Sequence, residues 1–111
     1  MDRKQLAQIK KELEGFILQI SESEHKLEYA CLIPAYENER NGPLILQVHA
    51  DWIAQTGCYK AISIVVNYLF KSTTTETRKN IYRIDIYNEN GDLHCTSDEY
   101  ILVGETPALM Y

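Results

Sequence analysis

The chain has 111 residues and is 45% hydrophobic, which fits one core and is too apolar for a disordered segment. No apolar run approaches the roughly 20 residues that span a bilayer, and the charged N-terminus MDRKQLAQIKKELEG lacks the apolar core of a signal peptide. The net charge of −5 is unevenly spread: residues 1–83 sum to +1 and residues 84–111 to −6, with no Lys or Arg after Arg83. Nucleic-acid binders need cationic surface to displace counterions, and no basic cluster here exceeds a pair of neighbours. The expectation is therefore a cytoplasmic protein that engages neither nucleic acid nor membrane. Three cysteines, Cys31, Cys58 and Cys95, lie far apart with no C-x-x-C pair. They read as free thiols acting as small buried hydrophobes.

Residues 3–21 carry Leu6, Ile9, Leu13, Phe16, Ile17 and Ile20 at three- and four-residue spacings, which predicts an amphipathic helix. Gly15 weakens it by about 1 kcal/mol relative to Ala, and SESEHK ends it. Residues 27–36 alternate as a strand, with Pro34 marking an edge or an end. After the turn ENERNGP, the run 44-LILQVHADWIA-54 reads as a second strand. Leu44, Leu46, Val48, Ala50, Trp52 and Ala54 share one face, and Gln47, His49 and Asp51 lie on the other. Together these strands predict an antiparallel hairpin.

A second helix starts near Thr56 or Gly57, with Ala61, Ile62, Val65, Val66, Leu69 and Phe70 as its apolar stripe. Its β-branched content keeps a strand over 61–66 as the alternative. In the polar loop that follows, Thr73 and Glu76 have capping-box spacing. IYRIDIY and DLHCTS flank Asn90-Gly91 and read as a hairpin. Tyr82, Ile84 and Ile86 point to the core, and Arg83, Asp85 and Tyr87 point away. A two-residue loop would set Glu89 against Asp92 and Tyr87 against His94, and the like-charge pair counts against that register. Residues 100-YILVG-104 are a candidate fifth strand, and TPALMY is an apolar tail that docks on the core or on a partner. The whole predicts one α+β domain over 1–111. Its order is α-β-β-α-β-β with an optional last strand, in a mostly antiparallel sheet with two helices on one face.

Two places could carry function. His49 and Asp51 share a strand face about 7 Å apart. A carboxylate beside an imidazole can supply two ligands of a metal site, or an acid/base with its orienting partner. A third group is missing, with Cys58 and His94-Cys95 as the nearest candidates in sequence. The other place is the strand face of Arg83, Asp85 and Tyr87 with Asp92 nearby, where Tyr and Arg are residue types typical of protein interfaces. The chain shows no P-loop, G-x-G-x-x-G or G-x-S-x-G pattern. The reading is a small acidic protein that acts by binding another protein, of basic character, as an inhibitor, immunity or chaperone-like factor. It needs no cofactor, has no assigned catalytic residue, and could pair as a homodimer through an edge strand or the tail. The rival is a ligand-binding or metal-dependent enzyme site at His49 and Asp51.

Overall fold

The periodic stretch 3–21 becomes helix α1 (Arg3–Ser21) in the computed structural model, which describes residues 2–39 and 41–103. Asp2 caps it by accepting the Gln5 N–H at 2.8 Å, and the Gln5 side chain returns the bond to the Asp2 N–H at 3.1 Å. Ile9, Leu13, Phe16 and Ile20 bury its stripe, while Leu6 stays largely exposed. The helix stops where Ser23 donates both its N–H and its hydroxyl to the Ile20 carbonyl.

Strands β1 (Tyr29–Pro34) and β2 (Leu44–His49) pair antiparallel. The second strand was expected to run to residue 54, but it ends at His49. Ala50 and Ile53 are both fully buried, which a continuing strand would place on opposite faces. The chain instead turns at Asp51 and Trp52 into the short helix α2 (Ile53–Thr56). Gly57, at φ +86°, separates α2 from α3 (Cys58–Ser72), a backbone conformation open to glycine at little cost. In α3 the stripe Ala61, Ile62, Val65, Val66 and Leu69 is buried as the helical reading requires. A further helical turn, α4 (Thr75–Arg78), is capped by Thr74, one residue later than the capping-box spacing indicated.

Strands β3 (Ile81–Tyr87) and β4 (Leu93–Thr96) complete a sheet of order β1-β2-β3-β4. The α+β class, the element order and the two long helices on one face stand as expected. The sheet, however, is mixed: β2 and β3 run parallel, and the flanking pairs are antiparallel. The helical crossover from α2 to α4 returns the chain to the end where β2 began, which forces the parallel pairing. The core lies between the helices and the even-numbered strand residues Leu46, Val48, Ile84 and Ile86.

Three local features complete the fold. The β3–β4 loop has three residues, so the two-residue register that the like-charge pair counted against is not adopted. The Asn88 N–H bonds to the Asp92 carbonyl, Gly91 sits at φ +82°, and Tyr87 pairs with Leu93 across a bulge. Glu89 thus escapes the like-charge pairing with Asp92. Residues 101–103 form a turn, not a strand, and Leu102 is buried in the core; residues 104–111 lie outside the described part. Finally, Cys58 and Cys95 are joined as a disulfide between α3 and β4, leaving Cys31 free. That pairing removes the cysteine argument for a reducing compartment. Among the described residues no helix is long and apolar enough to cross a membrane.

One buried polar link ties the helices together. Glu12, only 9% exposed on the apolar stripe of α1, accepts hydrogen bonds from the Thr74 N–H, the Thr74 hydroxyl and Gln8. Burial pushes its carboxyl pKa up, but these bonds, together with one from Thr77, outweigh it and hold the value below the ordinary range. Arg78, also buried, donates to the Thr73 carbonyl and lies over the Phe70 ring at 4.1 Å.

Candidate functional site

Because both long helices cover the same side of the sheet, the odd-numbered residues 29–33, 45–49 and 83–87 form a face that carries no helix among the described residues. The register sets them in rows across the strands. Tyr29, His49 and Tyr87 make one row, Cys31, Gln47 and Asp85 the next, and Ile33, Ile45 and Arg83 the third. Thr96 of β4 extends the second row opposite Asp85.

The first row is aromatic. His49 stacks on Tyr87 with ring centroids 4.6 Å apart and planes 13° from parallel, and Tyr29 meets His49 edge-on at 5.1 Å. Tyr29 is the exposed member, and His49 and Tyr87 are half-buried. The second row fixes this one from below. The Gln47 amide N–H donates to the Tyr87 hydroxyl at 3.2 Å, and the Cys31 thiol donates to the Gln47 carbonyl oxygen at 3.5 Å. Hydrogen bonding with Cys31 also pushes the Tyr29 phenol pKa up. The result is a chain of side-chain contacts over three strands that fixes the relative placement of the rings.

Asp85 is 5% exposed, and its carboxylate is fully engaged. It accepts from Arg83 Nε at 2.9 Å and from the Thr96 hydroxyl at 3.1 Å. The Asp85 carboxylate, through its hydrogen bond, strengthens the hold of the Arg83 guanidinium on its proton. Arg83 in turn reaches toward a second aromatic group, with its guanidinium carbon 5.9 Å from the Tyr82 ring centre. A register shift between β2 and β3 leaves Tyr82 as an extra residue there. Tyr82 packs against Tyr36 and Tyr100, and hydrogen bonding to Glu99 and Tyr36 drives its phenol pKa up. Tyr100 holds a left-handed backbone at φ 61° as its N–H donates to the Tyr82 carbonyl.

No family model, curated protein or solved structure matches the chain. The site therefore rests on its own geometry.

Among the residues expected to matter, Arg83, Asp85 and Tyr87 do share one face, and His49 joins them through its stack on Tyr87. Asp92 does not lie in these rows; it is exposed in the β3–β4 turn beside Glu89. Asp51 is exposed in the turn after β2, and no hydrogen bond or ion pair joins it to His49. Cys58, the nearest further ligand in sequence, is taken up by the disulfide. Among the described residues no group of three His, Cys, Asp or Glu side chains is arranged to hold a metal ion. Sequence reasoning assigned Gln47 to the polar face but gave it no role, and it missed Tyr29 as a member of the site. Both follow from strand alternation once the register of β1 against β2 is known.

Proposed function

We propose that the protein binds another protein through the face of its sheet away from the long helices, with the row Tyr29, His49 and Tyr87 as the contact surface. The observation that carries this reading is a three-strand aromatic row, pre-positioned by Gln47 and Cys31, on a side of the sheet that carries no helix among the described residues. Pre-positioned rings bury area on binding at small entropic cost, which is why tyrosine and arginine dominate the energetics of interfaces. Arg83 supplies the cation of the face, but its charge is balanced by Asp85. The exposed charge nearby is acidic: Glu89 and Asp92 in the turn beyond Tyr87, and Asp98 and Glu99 after β4. This rim favours a partner with a basic surface and speeds their encounter at low salt. A phosphate backbone would meet the wrong sign of charge here.

The test compares affinity purification of the wild-type chain with that of Tyr29→Ala, Tyr87→Ala and a control, Leu18→Ala, on the exposed side of α1. A bound protein that is lost from both tyrosine variants and kept by the control supports the reading. Charge reversal at Glu89 and Asp92 should then slow association with that purified partner and flatten its salt dependence. Equal recovery of every partner by Tyr87→Ala and wild type would sink the proposal.

A further inference from the structure

The sheet has two edges, and they differ. β4 is four residues long, its ladder is interrupted by a bulge, and the disulfide ties it to α3. β1 has six residues, and among the described residues its outer edge pairs with nothing. The hydrogen bonds show which groups are free. The Ala35 N–H bonds to the Pro43 carbonyl, and on the far side of β2 the Leu44 and Ala50 N–H groups bond toward β3. Odd residues of β1 therefore direct their backbone groups to β2, and even residues direct theirs outward. Ala30 and Leu32 each present a free N–H and C=O. Pro34, also even, has no N–H to present, which suits an outer edge.

Beside this edge runs an apolar groove of about 270 Å³ between α1 and β1, with Leu13, Phe16, Ile17 and Leu32 in its walls. Lys10 and Glu14, one helical turn apart, also line it, so that its rim on α1 carries one charge of each sign.

We propose that two copies of this chain pair through β1, antiparallel, about a two-fold axis at Cys31. Three features select this occupant and this register. First, centring at Cys31 sets Ala30 against Leu32 of the second copy, and the reverse, so every free N–H and C=O of those residues is used. Centring at Leu32 would oppose Ala30 with the donorless Pro34. Centring at Ala30 would oppose Leu32 with Glu28, whose N–H is already given to the His49 carbonyl. Second, the same axis brings the α1 rims of the two copies to the same side of the joined sheet in opposite directions, each with Lys10 and Glu14. A rim of one positive and one negative group is self-complementary under two-fold symmetry, as an isologous interface requires. Third, Tyr29, 54% exposed in the single chain, gains Ile33 of the second copy as its cross-strand neighbour. This inference rests on the edge and the groove and shares only Tyr29 with the reading of the sheet face.

The experiment is sedimentation equilibrium of the full chain over a wide micromolar range, together with thiol cross-linking. The expected species has twice the chain mass of 12.8 kDa. At the axis the two Cys31 residues form a non-hydrogen-bonded pair with Cβ atoms about 5 Å apart, within reach of a short bifunctional thiol reagent. Cys58 and Cys95 are joined to each other, so the cross-link should vanish in Cys31→Ser. Lys10→Glu should weaken the dimer about tenfold, because each rim then carries two negative charges and faces two more on the other copy. The double exchange Lys10→Glu with Glu14→Lys should restore it. Both positions are exposed on α1, and circular dichroism would verify that the variants fold. A monomer at every concentration overturns the proposal. So does a dimer in which Cys31 fails to cross-link, or one indifferent to Lys10→Glu.

Discussion

Replacing Asp85 with alanine should cost the fold about 2 kcal/mol. The side chain is almost fully buried and accepts from Arg83 Nε at 2.9 Å and from Thr96 at 3.1 Å, with a weaker contact to the second Arg83 nitrogen at 3.5 Å. Hydrogen bonds to a charged group contribute about 1.5–3 kcal/mol each when fully buried. Breaking a buried ion pair from one side costs about 3–5 kcal/mol. Here the Arg83 side chain retains 32% exposure, so it rehydrates when its partner goes, and the Thr96 hydroxyl turns to water. Those two escapes bring the figure down to about 2 kcal/mol, a fall in melting temperature of roughly 8–15 °C for a domain near this size. Asp85→Asn keeps an acceptor and should lose about half as much. The assay is urea unfolding of wild type, Asp85→Ala, Arg83→Ala and the double variant, with a coupling energy of about 1 kcal/mol expected from the cycle. If Asp85→Ala lies within about 0.5 kcal/mol of wild type, or the two single effects simply add, Asp85 is not the strut described here. The outcome also bears on function. A carboxylate occupied in this way offers little charge to a partner, so binding defects at Asp85 report on the shape of the face. Glu89 and Asp92 are the positions at which charge itself can be tested.

Two further measurements follow from the helix layer. Glu12→Gln should destabilise the protein at neutral pH by about 1–2 kcal/mol, since the Thr74 N–H loses a charged acceptor. Because the folded carboxyl sits below its ordinary value of 4.5, its contribution is complete above that value and fades as pH falls through the folded one. The stability gap between wild type and Glu12→Gln should therefore close in acid, and a gap that stays constant to low pH would contradict the assignment. Gly15→Ala should stabilise the protein by about 1 kcal/mol, as the added Cβ would meet no atom within 4 Å and the site is helical. Thermal unfolding would register it as a rise of several degrees.

Helix α1 was legible to the residue because its pattern is periodic over five turns and ends in polar residues. The hairpin of β3 and β4 was legible from Asn90-Gly91, but its register was not, since Asn88 competes for the turn by bonding the Asn90 and Asp92 N–H groups. The end of β2 was hidden by accident: Ala50, Trp52 and Ala54 continue the apolar alternation, while in space Trp52 leaves the strand and donates its indole N–H to the Lys26 carbonyl. Three cysteines allow three pairings, and nothing in their spacing singles out Cys58 with Cys95. Glu12 had a detectable signal, because it falls inside the stripe of Ile9, Leu13 and Phe16. A charge at such a position needs partners, and Thr74 lies 62 residues away. The functional face was half visible. Alternation placed Arg83, Asp85 and Tyr87 together, but only the neighbouring strands reveal that His49 stacks on Tyr87 and that Asp51 stands apart.

The short, interrupted strand β4 has a bearing on how far assembly can proceed. An exposed edge is a template, and a sheet with two good edges can recruit copies without limit. Among the described residues only β1 offers a long, regular ladder, and pairing two copies would consume both. Each end of the resulting eight-stranded sheet would be a β4, whose bulge and four-residue length give an arriving strand little to copy. Growth would then terminate at two, which separates a closed complex from the first step of a fibre.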